Sequence, residues 1–516
     1  MNLPAPVPGR VYIIGAGPGD PGLLTLKGAH YLERAEVLLY DALVDPRLLA
    51  LAPDSCERIY VGKRGGRPSS EQVSIDQLLE EYGRQGRVVV RLKGGDPYVF
   101  GRGGEEALHL QKAGIPFEVV AGVTAASAVP TYAGIPLTHR GLASAAVLVT
   151  GHEDPTKSTP PIDWPRLAGL EATLVIFMGT RKLAQLSALL LAGGRPPDTP
   201  AAVIEWGTWP QQRTVTAPLQ DIAARAAAAG VRAPALVVVG QVVSLRPYLN
   251  WFENRALFGR RVLVTRSQDQ AAGLQVKLEA EGAQVEMLPL LEIGPPSDWR
   301  PLDAALARLA DFAWVLFTSP NSVRYFFARL QQQGGDARWL GGVRLAAVGQ
   351  ATAAALAQHG LRPDLVPSRQ SQEGLIAALE AEPIAGRRFL LPASDIGRTE
   401  LVEYLLQRGA QVERVNAYQN QMPELAEEDW PPALQGGDLD LVVFASPSSV
   451  ANFWRLLGPE RARQILGGAV ACIGPTTAQA VREQGIDVQI QPEHSSVEAL
   501  VQAIVDYFRR QKEAGV

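Results

Sequence analysis

Val88-Val89-Val90-Arg91-Leu92-Lys93-Gly94-Gly95-Asp96-Pro97-Tyr98-Val99-Phe100-Gly101-Arg102-Gly103-Gly104-Glu105-Glu106 is the stretch on which the reading of the fold turns. Its opening, Val88 to Leu92, is a short Val/Leu-rich run of the kind that forms a strand buried on both faces between helices. Glycines directly after such a strand let the backbone approach a ligand closely, and Asp96, preceding Pro97, is held out of helix. A tight loop alone accounts for the glycines but not for the Asp, the Arg and the Glu-Glu pair that accompany them.

Outward from this block the same rhythm continues. Short apolar runs at Val11 to Ile14, Val37 to Tyr40, Val119 to Val120 and Leu236 to Val239 alternate with longer amphipathic stretches, which predicts an α/β fold. The first run leads into Gly15-Ala16-Gly17-Pro18-Gly19-Asp20-Pro21-Gly22, which invites a dinucleotide-binding reading and a nicotinamide-dependent oxidoreductase. That reading fails on two counts. Asp20 stands where the third glycine is needed, and the prolines stiffen the turn and remove amide donors that a pyrophosphate requires.

The chain of 516 residues is too long for one ordinary core, so more than one domain is expected. With 47% hydrophobic and 20% charged residues it has the composition of a compact protein. Its 49 basic residues nearly balance 53 acidic ones, giving a net charge of −4 and arguing against a nucleic-acid partner held by bulk electrostatics. An anionic ligand then has to be met by a local basic cleft. The Pro-rich start has no signal-peptide core and nowhere do about 18 apolar residues run together, so a cytoplasmic protein with no membrane partner is expected. Cys56 and Cys472 lie far apart in segments that look structural, so both read as buried thiols. The six histidines show no ligand spacing, and no metal site is predicted.

Pro247 to Gly259 separates stretches of different motif content and divides the chain into 1–256 and 257–516. The second part carries an internal repeat. Arg260-Arg261-Val262-Leu263 returns as Arg387-Arg388-Phe389-Leu390, and Gly282-Ala283-Gln284-Val285-Glu286 as Gly409-Ala410-Gln411-Val412-Glu413, both at an offset of 127. Phe317-Thr318-Ser319-Pro320 pairs with Phe444-Ala445-Ser446-Pro447, and Val348-Gly349-Gln350-Ala351-Thr352 with Ile473-Gly474-Pro475-Thr476-Thr477. This predicts a duplicated α/β domain with a cleft between the copies. Ser-Pro and Gly-x-x-Thr read equally as helix N-caps after strands, and a helix N-terminus is also a carboxylate site.

From about Val11 to Phe252 the chain closely resembles the tetrapyrrole methylase family, and within it the uroporphyrinogen-III C-methyltransferases. The resemblance rests on Tyr40-Asp41-Ala42-Leu43-Val44, Gly62-Lys63-Arg64, the Gly94 to Glu106 block, Ala121-Gly122-Val123-Thr124-Ala125-Ala126, Ala133 to Arg140, Thr150-Gly151-His152 and Phe177-Met178-Gly179. Ala121 departs from the family's usual Pro. What the resemblance implies is a two-lobed methyltransferase, usually a homodimer, with S-adenosylmethionine between the lobes against Pro18, Gly94, Gly95, Asp96, Val99, Thr124, Ala125, Met178, Gly207 and Ala235. It further implies Asp41 as proton acceptor and Lys63 as proton donor. Because uroporphyrinogen has a carboxylate-rich rim, Arg64, Arg67, Arg91, Arg102 and Arg140 are the candidate clamps.

From Gly259 to about Phe508 the chain resembles the uroporphyrinogen-III synthases, through Val264-Thr265-Arg266, Phe317 to Ser322, Ala347-Val348-Gly349, Leu365-Val366-Pro367-Ser368, Val415-Asn416-Ala417-Tyr418 and Ile473 to Ala478. The resemblance implies two α/β lobes, one from 259–294 with 422–508 and the other from 297–419. Tyr418 is then the candidate for helping a hydroxyl depart, with Ser319, Thr352, Ser446 and Thr476 binding acetate and propionate groups. The combined expectation is an enzyme that cyclises hydroxymethylbilane to uroporphyrinogen III and methylates it twice, through precorrin-1 to precorrin-2, on the way to sirohaem or cobalamin. The competing expectation is an active methyltransferase fused to a non-catalytic tetrapyrrole-binding module.

Overall fold

The computed structural model describes residues 3–62, 72–152, 162–266, 268–395, 399–423, 425–427, 430–435 and 438–514. The chain forms two compact units. One runs to Arg260 and includes Leu278–Gln284 and the residues from Gln511; the other comprises Arg261–Lys277 and Val285–Arg510. Among the described residues no helix is long and apolar enough to cross a membrane.

The first unit opens with β1 (Val11–Gly15), β2 (Val37–Tyr40), β3 (Glu57–Tyr60), β4 (Val89–Lys93) and β5 (Phe117–Val120), ordered β3-β2-β4-β1-β5 and all parallel. Alternate residues of one strand serve opposite cores: Tyr12, Ile14, Val90 and Leu92 pack on one face, Val11, Ile13 and Val89 on the other. Both faces are therefore covered, as the unbroken apolar runs predicted. The chain leaves β1 towards β2 and β4 towards β5, in opposite directions along the sheet. An open parallel sheet forms a crevice at the carboxyl ends of such a strand pair, and here the glycine-rich loops follow those two strands.

A second sheet holds β6 (Ala146–Thr150), β7 (Thr173–Phe177), β8 (Pro200–Glu205), β9 (Arg213–Pro218) and β10 (Ala235–Val239), ordered β6-β7-β10-β8-β9. Only β6 and β7 run parallel; the other pairs are antiparallel.

Among the described residues the second unit has two sheets. One contains β11 (Arg261–Val264), β12 (Gln284–Met287), β18 (Leu441–Phe444) and β19 (Ala469–Cys472), ordered β12-β11-β18-β19. The other contains β13 (Glu292–Gly294), β14 (Trp314–Phe317), β15 (Arg344–Ala347), β16 (Arg388–Ser394) and β17 (Gln411–Gln421), ordered β13-β17-β16-β14-β15. β13 pairs with β17, so Glu292–Gly294 belongs to the second sheet and not to the lobe that was to end at 294.

The repeat is real in three dimensions, but its copies are not the two lobes. β11, β12, β14 and β15 of the first copy correspond to β16, β17, β18 and β19 of the second. Each sheet joins the first half of one copy to the second half of the other. Even the register repeats: Val262 lies beside Leu441, and the corresponding Phe389 lies beside Trp314. Ala346 bridges Leu365 just as Ala471 bridges Ile490. Both cysteines are free and buried, and burial pushes the Cys472 thiol up to about 12.

Candidate active site

Three glycines bring the ends of β1, β4 and β5 together. A Cβ on Gly15 would stand 2.6 Å from the Gly95 carbonyl oxygen and 2.6 Å from the Gly122 nitrogen, so no side chain fits there. Gly95, at φ +71°, donates its amide to Gly17 (2.7 Å) and accepts the amide of Gly17 (3.2 Å), locking the two glycine loops to each other. Asp96 staples the same corner: its carboxylate accepts the amides of Tyr98 (2.8 Å) and Gly122 (3.0 Å). That is the physical reason for an Asp within a glycine-rich loop.

Beyond this corner lies a cavity of about 780 Å³, of a size that takes a drug-sized organic ligand. Its walls include Pro18, Gly94, Gly95, Asp96, Val99, Thr124, Ala125, Met178, Gly207 and Ala235, which are all ten positions expected around the methyl donor. Leu43, Phe100, His152, Arg181, Lys182, Trp206 and Trp209 also line it and were not foreseen. Three wall residues that are not glycine have left-handed backbone, Phe100 (φ 53°), Met178 (φ 53°) and Trp206 (φ 49°), and Thr208 next to the wall reaches φ 72°. Strain of this kind persists only where surrounding bonds over-determine it. Here Gln212 accepts the Thr208 amide (2.8 Å), and Asp20 donates its amide to the Thr208 hydroxyl (3.1 Å). Trp209 donates its indole N–H to the Pro18 carbonyl (3.3 Å), and the Tyr132 hydroxyl donates to Asp20 (2.7 Å). Burial and the neighbouring Asp20 raise the pKa of Tyr132, which keeps that hydroxyl a donor. The loop after β1 is thereby latched to the loop after β8.

Asp41, at the end of β2, is not in the cavity wall. It touches the wall through Leu43, whose amide lies 3.3 Å from its carboxylate. Lys63, Arg64 and Arg67 lie outside the described residues. Arg91 corrects an expectation: it is 3% exposed and its guanidinium meets Glu106 (3.2 Å) and Asp41 (3.5 Å), so it is not presented to a ligand carboxylate. Arg102 is exposed and pairs with Glu105 at 2.6 Å. Arg140 is exposed beside the turn closed by His139 and Ala143.

In the second unit Tyr418 lies on β17 with its hydroxyl 3.0 Å from that of Ser319, and its ring stacks on Tyr325 at 5.9 Å. Ser319 and Ser446 each close a capping box at the start of a helix, Pro320–Gln332 and Pro447–Ile465. The cap reading of Ser-Pro is thus realised in both copies. Thr352 requires a second correction. It is 2% exposed, facing the core from the helix Gln350–Ala357, and so does not reach out to a carboxylate; its counterpart Thr477 is buried likewise, whereas Thr476 is exposed. A groove of about 1070 Å³ runs past Asn420, Gln421, Ser448, Asn452 and Arg455, none of which was singled out, and the expected Ser and Thr positions do not line it. The polar run Asn420-Gln421 just beyond Tyr418 was the available signal.

Residues 10–223 match the family described as Tetrapyrrole (Corrin/Porphyrin) Methylases, and residues 272–502 match Uroporphyrinogen-III synthase HemD. A porphyrin biosynthesis protein HemD from Ruminiclostridium josui is 33% identical over 500 residues, spanning 96% of this chain and 98% of that protein. An S-adenosyl-L-methionine-dependent uroporphyrinogen III methyltransferase from Methanosarcina barkeri is 50% identical over 241 residues, 47% of this chain and 94% of its own length. The crystal structure of uroporphyrin-III C-methyl transferase from Thermus thermophilus, complexed with S-adenyl homocysteine, is 44% identical and covers 46% of this chain and 99% of that one, with a TM-score of 0.39. With both matches side by side and the first relative aligned along nearly its whole length, the chain belongs to the family that fuses a tetrapyrrole methylase to a uroporphyrinogen-III synthase.

Proposed function

We propose that the second unit cyclises hydroxymethylbilane to uroporphyrinogen III and that the first unit methylates this product twice with S-adenosylmethionine, through precorrin-1 to precorrin-2. The observation that carries the reading is the coincidence of two independent sets: ten positions chosen for the donor from sequence resemblance all line one cavity. The residues there fit the donor. Its amino-acid tail and adenine require backbone amides, carbonyls and apolar walls, which Gly94, Gly95, Gly207 and Ala235 supply without intruding side chains. When bound, S-adenosylmethionine supplies a methyl group on a sulfonium.

What remains for the protein is alignment of a pyrrole carbon with that methyl and removal of a proton. Asp41, beside the wall residue Leu43, is the proposed proton acceptor, and Lys63 the proposed donor. Arg102 and Arg140 are the exposed cations proposed to meet the carboxylate rim. In the second unit the Tyr418 hydroxyl, with Ser319 within hydrogen-bonding distance, is proposed to assist loss of the substrate's hydroxyl. We further propose a homodimer formed through the first unit, to be read from sedimentation equilibrium.

The test is incubation of the whole protein with hydroxymethylbilane, with and without S-adenosylmethionine. Uroporphyrinogen III is expected without the donor and precorrin-2 with it. Accumulation of precorrin-1 alone would refute the second methylation, and isomer I alone would mean that the second unit does not catalyse ring closure.

A further inference from the structure

β4 is an oddity of composition. It is a five-residue strand buried along its whole length, yet it carries two cations, Arg91 and Lys93, two residues apart and therefore on one face. That face is covered by the helix Gly103–Lys112, whose first turn delivers Glu106, itself fully buried. One oxygen of Glu106 takes both cations, Lys93 at 2.8 Å and Arg91 at 3.2 Å. Arg91 also donates to the Leu92 carbonyl (3.1 Å) and extends its remaining nitrogen to Asp41 at 3.5 Å. Among the described residues two buried cations face a single buried carboxylate, and Asp41 supplies a second negative charge. It is the member of the four that reaches solvent, with a side chain 26% exposed.

Burying such a group costs several kcal/mol per ion unless each is paired, and apolar residues of the same volume would serve stability as well. Burial, with Arg91 alongside, lowers the pKa of Lys93, and Glu106 opposes that shift. The arrangement has a geometric result at the surface. One oxygen of Asp41 faces the Leu43 amide and the other faces Arg91, so the carboxylate is tethered at both ends beside the cavity wall.

We propose that Arg91, Lys93 and Glu106 form a buried charge cluster that positions the Asp41 carboxylate for the methyl-transfer reaction. This rests on the reading of Asp41 as the proton acceptor. Arg91, Lys93 and Glu106 are positioning residues: none of them lines the cavity, and they act through Asp41.

A double-mutant cycle on the full chain tests it, with steady-state methylation of uroporphyrinogen III as one readout and calorimetric binding of S-adenosylhomocysteine as the other. Asp41→Asn is expected to lower kcat by about 100-fold, the usual scale for a lost general base. Arg91→Met is expected to lower it by about 10-fold, with KM and S-adenosylhomocysteine affinity unchanged. Arg91→Lys should recover part of the loss. The double variant should be no slower than Asp41→Asn alone, because the cluster has nothing left to orient. If Arg91→Met no longer binds S-adenosylhomocysteine, Arg91→Lys takes its place in the cycle, since it keeps the charge and loses only the fork. Losses that multiply in the double variant would spare Asp41 and overturn the positioning role. A wild-type rate in Asp41→Asn would remove Asp41 from the reaction and the cluster's role with it.

Discussion

Gly15 and Gly104 show how far two glycines of one protein can differ. A Cβ at Gly15 would press on backbone from Gly95 and Gly122, which cannot swing aside, whereas one at Gly104, in an exposed first turn of helix, meets nothing within 4 Å. Gly15→Ala should therefore destabilise the first unit by about 1–3 kcal/mol, the range of forced overpacking, and lower its melting temperature. Gly104→Ala should stabilise it by about 0.5–1 kcal/mol, since helix propensity then acts alone. Equal melting temperatures for the two variants would show that the glycine corner is looser than its geometry.

His359 gives a pH-dependent counterpart in the second unit. It stacks on Phe327 at 4.1 Å, and burial holds its pKa below the ordinary 6.5. The folded state therefore prefers the neutral ring, and the unfolded chain takes up the proton first as pH falls. Its contribution to stability is complete above about pH 6.5 and is lost progressively below it. Denaturant unfolding at pH 7.5 and 5.5 should show a smaller loss for His359→Phe than for the parent; parallel losses would dismiss His359 as a contributor. At this scale some of the site was legible and some was not. Arg91 stood out as a basic residue in an ordered motif, but composition does not say which face of a strand a helix will cover, so it was read as an outward clamp. The strained backbone at Trp206 and Thr208 left no trace in residue type, because those residues do not advertise positive φ as glycine does.

Among the elements, the two Ser-Pro helices are the clearest case of one local rule used twice. Ser319 accepts the Ser322 amide at 3.0 Å and Ser446 accepts the Ser449 amide at 3.1 Å, each reciprocated through the Ser at the third helical position. Ser319→Ala and Ser446→Ala should each cost about 1 kcal/mol in equilibrium unfolding of the second unit, the usual worth of an N-cap. A cost near zero for either would mean that water replaces the cap. Strand positions were readable because fully buried strands are unbroken apolar runs; their ends moved by a residue or two, as at β5, which begins at Phe117. The inward turn of Thr352 was harder to see. It depends on where the helix starts relative to Gly349, and a shift of one residue rotates the side chain from solvent to core.

Across the whole molecule, the order of motifs along the chain was enough to expect two α/β units, because each half carries its own set of glycine loops or repeats. The pairing of the copies was not legible in the repeat itself; the resemblance supplied it, by grouping 259–294 with 422–508, and β11 and β12 do share a sheet with β18 and β19. Correspondence between two copies says which strands are alike but not which strands lie side by side, and contacts between remote strands decide that. The exchange of halves has a further consequence. β13 to β17 form one continuous stretch and can assemble as soon as Gln421 has been made, but β11, with β12 on one side, finds its other neighbour only in β18. On a ribosome adding about 5–20 residues per second, the open edge of β11 waits roughly 10–35 s for its partner, exposed to any chaperone that meets the nascent chain.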